Sequence, residues 1–203
     1  MKYTNNYDIQ LNQAKKRFLT YDQQELICRC CPEFDELYFY TDFLGQKYRI
    51  DRRSGDMQRL QKDRWIDGNS FHEVMTLLDW LCDSREDRFV TGRWVNIVTL
   101  GHSFHRSLQE DKADSLAQRF AEDPEKFSKA CRKLGGQLMP GADSSFAVPF
   151  IDGMQILVQL WLGDEEFAPR LCFLWDENTT RYIRYETTWY ALGLLRQRLE
   201  ENM

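Results

Sequence analysis

The stretch FAVPFIDGMQILVQLWLGDEEFAPRLCFLW, residues 146–175, decides the fold. Two apolar runs meet at Asp152-Gly153, and two more meet at Gly163-Asp164-Glu165-Glu166. Asp-Gly between apolar runs marks a tight hairpin, because both turn residues must tolerate positive φ. The second connection carries three carboxylates and reads as a solvated loop. Together they predict three consecutive strands in an antiparallel meander.

Closing Asp152-Gly153 as a two-residue loop sets Ile151 opposite Met154, Pro149 opposite Ile156 and Ala147 opposite Val158. Closing the acidic loop sets Leu160 opposite Pro169, Val158 opposite Leu171 and Gln159 opposite Arg170. Side chains alternate faces along a strand. One face then holds Ala147, Pro149, Ile151, Met154, Ile156, Val158, Leu160, Leu162, Leu171, Phe173 and Trp175, and has to be buried. The other face mixes Phe146, Phe150, Leu157 and Trp161 with Gln155, Gln159 and Arg170. Two readings of it stand open. It is a partly covered sheet exterior whose polar groups bond nearby loops, or a ligand-facing wall with Gln155, Gln159, Arg170 and Trp161 as binding residues. A covered Arg170 requires an anionic partner, either a protein carboxylate or a small anionic ligand.

The 203 residues carry a net charge of −5 and 14% aromatic side chains, unlike a disordered chain. Nothing in that balance points to nucleic acid or to an anionic membrane surface. Met1–Tyr7 lacks the apolar core of a signal peptide, and no apolar run reaches membrane-spanning length. A cytoplasmic protein is expected. Cys82, Cys131 and Cys172 sit within apolar patterns as small hydrophobes. Cys28, Cys30 and Cys31 match no common metal or cluster spacing, and helix-end packing is the simpler reading.

Upstream, Tyr7, Leu11, Ala14 and Phe18 recur at helical spacing, and a second helix starts near Asp22 and stops before Pro32. Leu37–Tyr40, Lys47–Asp51 and Met57–Leu60 read as a smaller meander turning at Gly45 and Ser54-Gly55. Lys47–Arg64 carries seven basic residues against three acidic ones: a phosphate- or acid-docking patch, or the charged rim of a sheet. Ser70-Phe71-His72-Glu73 is a capping box opening a largely buried helix. Trp94–Leu100 alternates as a strand. Two helices fill Glu110–Leu134, divided at Asp123-Pro124 and closed by Gly135-Gly136. Thr187 or Thr188 caps a final helix bearing Trp189, Leu192, Leu195 and Leu199.

No nucleophile elbow, phosphate-binding loop or dinucleotide fingerprint occurs. His102 and His105, three apart, are the metal-ligand candidates, but no carboxylate stands at a recognised metal-motif spacing. The acidic groups Asp164-Glu165-Glu166 and Asp176-Glu177 fall at opposite ends of one strand, roughly 25 Å apart, too far for a shared acid–base role.

Lys133-Leu134-Gly135-Gly136, Val148-Pro149-Phe150, Leu160–Phe167 and Leu174–Asn178, with Tyr182 and Tyr185, carry a family likeness. In these segments the chain resembles the uncharacterised bacterial and archaeal family called domain of unknown function 3786. Weaker likeness runs from Tyr38 through Leu81 and Trp94, and Gly101-His102 stands where relatives tend to have paired glycines. The resemblance implies an α+β domain without an established activity. Some relatives look fused to an iron–sulfur module, which implies that a chain lacking that cysteine run works with an iron–sulfur protein as partner or without a cluster.

The expectation is one α+β domain over residues 1–203, an antiparallel β-meander at about 146–175 with a smaller N-terminal meander, covered by helices. Its expected function is that of a cytoplasmic binding or accessory protein using the mixed sheet face. The alternative is a metal-dependent hydrolase built on His102 and His105.

Overall fold

Ser70-Phe71-His72-Glu73 closes as a capping box. The Glu73 amide donates to Ser70 Oγ at 3.3 Å, and the Ser70 amide donates to Glu73 Oε2 at 2.5 Å. The computed structural model describes residues 6–30, 32–101 and 114–203, and these fall into two compact units. One spans residues 1–89 and 180–194, the other 90–179 and 195–203. Two five-stranded antiparallel sheets and seven α-helices among the described residues make the class α+β.

The first unit is built on a meander of β1 (Glu33–Phe34), β2 (Tyr38–Phe43), β3 (Gln46–Asp51), β4 (Met57–Gln61) and β5 (Arg64–Ile66), in that spatial order. Leu44-Gly45 and Lys62-Asp63 each close a two-residue hairpin with both φ positive, the twist that matches the flanking strands. Alternation sends Phe39, Phe43, Tyr48, Ile50 and Met57 to one face, all buried. Helix α1 (Asn6–Phe18) sets Phe18 against Phe39, edge to face at 6.3 Å. Helix α2 (Gln23–Cys30) starts where Asp22 Oδ1 accepts from the Gln24 and Glu25 amides. Helix α3 (Phe71–Asp83) brings Glu73 to the buried face, where its carboxylate accepts from the Tyr48 hydroxyl and lies 3.6 Å from Arg59.

Helix α7 (Tyr185–Glu201) starts two residues before the expected threonine cap. The Thr187 hydroxyl instead donates to buried Asp79 Oδ2 at 2.5 Å, and that of Thr188 donates to the Tyr185 carbonyl. A buried carboxylate makes a stronger claim on Thr187 than a helix end does. Beside it, Arg17 forks onto both oxygens of Asp83, and Arg184 Nε lies 2.9 Å from Asp83 Oδ2. This ionic cluster joins α1, α3 and the segment leading into α7.

In the second unit β6 (Trp94–Asn96), β7 (Gln137–Met139), β8 (Ser144–Pro149), β9 (Gln155–Trp161) and β10 (Arg170–Asp176) form a sheet in the order β6-β10-β9-β8-β7. The strand expected over Trp94–Leu100 stops at Asn96, whose side chain accepts from the Val98 amide and starts the short helix α4 (Ile97–Leu100). Helices α5 (Ser115–Glu122) and α6 (Pro124–Lys133) meet at Asp123-Pro124. Gly135 takes φ +80, the Gly136 amide donates to Cys131 O, and the Gly135 amide donates to Arg132 O. These two bonds are the Schellman closure that a glycine pair favours. Phe127 of α6 meets Phe146 of β8 at 5.8 Å, so the helices cover that face.

Both hairpin registers differ from expectation. Asp152 (φ +52) and Gly153 (φ +78) do form the tight turn, with the Met154 amide donating to Ile151 O. The return bond, however, comes from the Phe150 amide to Met154 O, so Phe150 and Ile151 both oppose Met154 as a bulge. Pairing becomes Phe146 with Val158 and Val148 with Ile156. This odd shift moves Phe146 and Val148 onto the helix-covered face of Val158 and sends Ala147 and Pro149 to the other. Larger apolar side chains thereby reach the helices. At the second hairpin Trp161 pairs with Arg170 and Val158 with Phe173, two residues from the expected alignment. Pro169 has no amide to donate, so the ladder starts one residue later. An even offset keeps every side chain on its expected face.

Asp176 ends β10 almost completely buried, 1% exposed. Its Oδ2 accepts from the amides of Thr91 and Gly92, both at 2.8 Å, and from the Thr91 hydroxyl at 3.0 Å. Its Oδ1 accepts from the Asn178 amide. Asp176→Ala would strand these donors, and we expect a loss of about 3 kcal/mol in urea unfolding. A loss under about 1 kcal/mol would show that water replaces the carboxylate.

Asp79 supplies a pH test. Burial pushes its carboxyl above the ordinary range, against the opposing Thr187 bond and the pull of Arg184 and Arg17. A carboxyl with a raised folded-state pKa stabilises the fold while protonated. That contribution is full below the unfolded pKa, about 4, and is lost as pH rises through the folded value. Asp79→Asn keeps an acceptor for Thr187 without titrating. The variant's melting temperature relative to wild type should therefore improve as pH rises from about 4. The opposite trend would mean that the anion, held by Arg17, is the stabilising form.

Candidate functional site

Trp161 and Arg170 face each other across β9 and β10, with the guanidinium 5.3 Å from the indole centre. Both are exposed, Trp161 by 38%. Gln159 shares their face, two residues along β9, opposite Cys172 rather than opposite Arg170 as expected. Its side-chain amide lies 3.4 Å from Ser145 Oγ as donor. Gln155 is on the same face but pairs with Pro149 at the far end of the strand. Six residues of strand separate it from Trp161 by roughly 20 Å. The fold thus gathers Gln159, Trp161 and Arg170 and leaves Gln155 apart.

The acidic hairpin extends from this end of the sheet. Asp164 Oδ1 accepts from the Glu166 and Phe167 amides at 2.9 and 2.8 Å, and the Asp164 amide donates to Phe167 O at 2.9 Å. Asp143 Oδ2 accepts from the Leu162 amide. Gly163 takes φ +81, and a Cβ there would lie 2.6 Å from Phe167 O. The loop is therefore held in one shape, and Asp164 works as a turn former as well as a surface charge. Glu165 and Glu166 point outward with Phe167, which is 69% exposed.

The outer face of the first sheet holds a second polar–aromatic surface, which sequence reasoning saw only as a basic run. Cross-strand pairing sets Tyr40 beside Arg49 and Arg49 beside Gln58. The Arg49 guanidinium lies 4.2 Å from the Tyr38 ring centre and 4.7 Å from that of Trp65. Its Nε donates to Gln58 Oε1 at 2.7 Å, and Gln58 Nε2 donates to Asp67 Oδ1 at 2.9 Å. Other members of the basic run have partners in the fold: Lys47 with Glu33, Arg59 with Glu73, and Arg52 with the Asp35 carbonyl. The alternation Tyr38, Tyr40 and Lys47, Arg49 was the available signal, but Trp65 and Gln58 join it only through the register. At the rim, a cleft of about 450 Å³ is lined by Tyr38, Gln58, Asp67 and Asn69, with Leu11, Met57 and Val74 as apolar wall.

Of the cysteines, Cys30 is buried at the end of α2, its thiol 3.4 Å from Leu81 O, and burial pushes its pKa up. Burial likewise pushes Cys82 and Cys131 up to about 12, which keeps both as neutral thiols. Cys28 is exposed, and Cys31 lies outside the described residues. His102 and His105 also lie outside them. Among the described residues no group of three or more His, Cys, Asp or Glu could hold a metal ion, and no helix is long and apolar enough to cross a membrane. Glu177 pairs with Arg93 on the protein surface, 2.8 Å from its Nε.

The fixed hairpin is open to a direct check. Gly163→Ala should lower stability by about 1–3 kcal/mol, through the left-handed backbone and the clash with Phe167 O. An unchanged melting temperature would show that the loop relaxes freely around the new methyl group.

No curated protein and no solved structure shows a match to this chain. A family model does match, over residues 22–198 of the 203, and the chain belongs to that family, described as Domain of unknown function (DUF3786).

Proposed function

We propose that the protein is a binding or accessory protein that recognises a protein partner through the end of its second sheet. The observation that carries this reading is Phe167, 69% exposed on a loop whose backbone is fixed by Asp164 and Gly163. A rigid, exposed aromatic loses little conformational entropy on docking, which is how interface anchors gain affinity. Leu162 and Trp161 extend the apolar surface beside it. Glu165 and Glu166 flank it, so the complementary surface is an apolar pocket with a basic rim. Arg170 on the Trp161 ring holds that indole in place and adds one cation at the edge.

The test replaces Phe167 with a photo-crosslinking amino acid in cells that make the protein. The comparison site is Leu138, nearly as exposed at 67% but on the edge strand β7. A discrete adduct from position 167 alone, lost when Glu165 and Glu166 are changed to Lys, is the expected outcome. No adduct, the same adducts from both positions, or an adduct indifferent to the charge reversal would sink the reading.

A further inference from the structure

The outer face of the first sheet stands apart from that docking surface and has its own chemistry. Helices α1 and α3 meet the other face, through Phe18 on Phe39 and Glu73 on Tyr48. Alternation leaves Tyr38, Tyr40, Arg49 and Trp65 on the outer side, each half-buried. Strands β2 and β5 stand three spacings apart, about 14 Å. The Tyr40 and Trp65 ring centres are nevertheless 5.9 Å apart, and those of Tyr38 and Tyr40 are 6.2 Å apart. The rings therefore lean together beside Arg49 as one aromatic platform.

The hydrogen-bonding groups among these rings are unevenly spent. The acceptors are taken. Gln58 Oε1 receives Arg49 Nε and Nη2, Asp67 Oδ1 receives Gln58 Nε2, and Asp35 Oδ2 receives the Tyr40 hydroxyl at 2.7 Å. The donors are not. No described residue accepts a hydrogen bond from the Trp65 indole N–H, the Tyr38 hydroxyl or Arg49 Nη1, and all three reach solvent. Charge narrows the choice further. Lys47 Nζ lies 3.2 Å from Glu33, and the Arg49 guanidinium is stacked on Tyr38 and Trp65. A polyanion such as single-stranded nucleic acid finds no row of free cations there.

Rings with spare donors fit an occupant that is neutral, apolar and only accepts. Proline in a chain has that character, because its tertiary amide keeps the C=O and lacks the N–H. A polyproline II run also presents its rings and carbonyls already ordered. We infer that this face docks a neutral proline-rich segment of another protein, its rings against Tyr40 and Trp65 and one carbonyl accepting from Trp65 Nε1. A saccharide also stacks on such rings, but it brings a donor with every hydroxyl to a surface whose acceptors are occupied.

Titration of the full chain with capped decaproline, followed by amide chemical shifts, tests the assignment. The comparison ligands are a capped Gly-Ser peptide of equal length, a cello-oligosaccharide and an oligothymidylate. Decaproline should give saturable shifts confined to β2, β3 and β5, with the other three at least about tenfold weaker. Trp65→Phe keeps a ring and removes the N–H, and should weaken decaproline by about five- to tenfold. Tyr40→Phe should leave it unchanged, because that hydroxyl is committed to Asp35. No saturable decaproline binding by the folded wild-type chain would overturn the inference. So would equal binding of any comparison ligand, or binding indifferent to Trp65→Phe. None of these results bears on the Phe167 crosslink.

Discussion

Glu73 is a carboxylate with 2% of its surface exposed, and the first unit is assembled around satisfying it. Taking an ion out of water is tolerable only when hydrogen bonds and charge replace the solvent. Here the Ser70 amide, the Tyr48 hydroxyl and Arg59 do so. One residue thereby ties the start of α3 to the middle of β3 and to β4. The second unit applies the same constraint at Asp176, where the donors are two backbone amides of the Thr91-Gly92 turn. In each unit a buried acid fixes where a loop or helix end meets the sheet.

Local chemistry was legible in the sequence wherever one residue decides one backbone geometry. Ser70 with Glu73, Pro124 at a helix start and Gly135-Gly136 at a helix end all act within a turn of chain. The β8–β9 register was not legible, because the turn formed as predicted and the bulge beside it did not announce itself. What the bulge accomplishes is tertiary: Phe146 reaches Phe127, and Phe150 meets Trp175 edge to face at 5.4 Å. Trp94–Leu100 failed for a related reason. Short alternating runs do not separate strand from helix, and Asn96 turned out to be a cap. At the site, a shared face for Gln159 and Trp161 followed from alternation, and Arg170 joined it because the register error was an even number of residues. The Tyr38–Arg49–Trp65 stack needed three registers at once, which no short window contains.

The residues that carry the family resemblance are mostly devices of backbone shape. Lys133-Leu134-Gly135-Gly136 is a helix closure, Asp176 is the anchor of a turn, and Gly163 and Asp164 define a hairpin. Such residues report that chains fold alike and say little about what they bind. Within the hairpin segment Trp161, Leu162, Glu165, Glu166 and Phe167 are the exposed side chains that shape no turn. A functional reading has to rest on those side chains and on the two polar–aromatic surfaces.

Exposure alone does not separate a recognition residue from a bystander. Leu138 and Phe167 are equally open to water, yet they differ in what holds them. Leu138 belongs to a three-residue edge strand paired on one side, and its exposure is the ordinary residue of a sheet margin. Phe167 sits at a position where a glycine in a left-handed conformation, an aspartate accepting two amides and a proline all restrict the chain. Restricting a loop costs conformational entropy in folding, on the order of 1–2 kcal/mol for each residue fixed. A loop ordered in this way has that much less freedom to lose in any contact it makes. The same reasoning applies to the Arg49 stack, where two rings and Gln58 hold a guanidinium that would otherwise sample many rotamers. Both surfaces are thereby ordered within the fold itself, by the glycine and aspartate of the hairpin in one unit and by the register of four strands in the other.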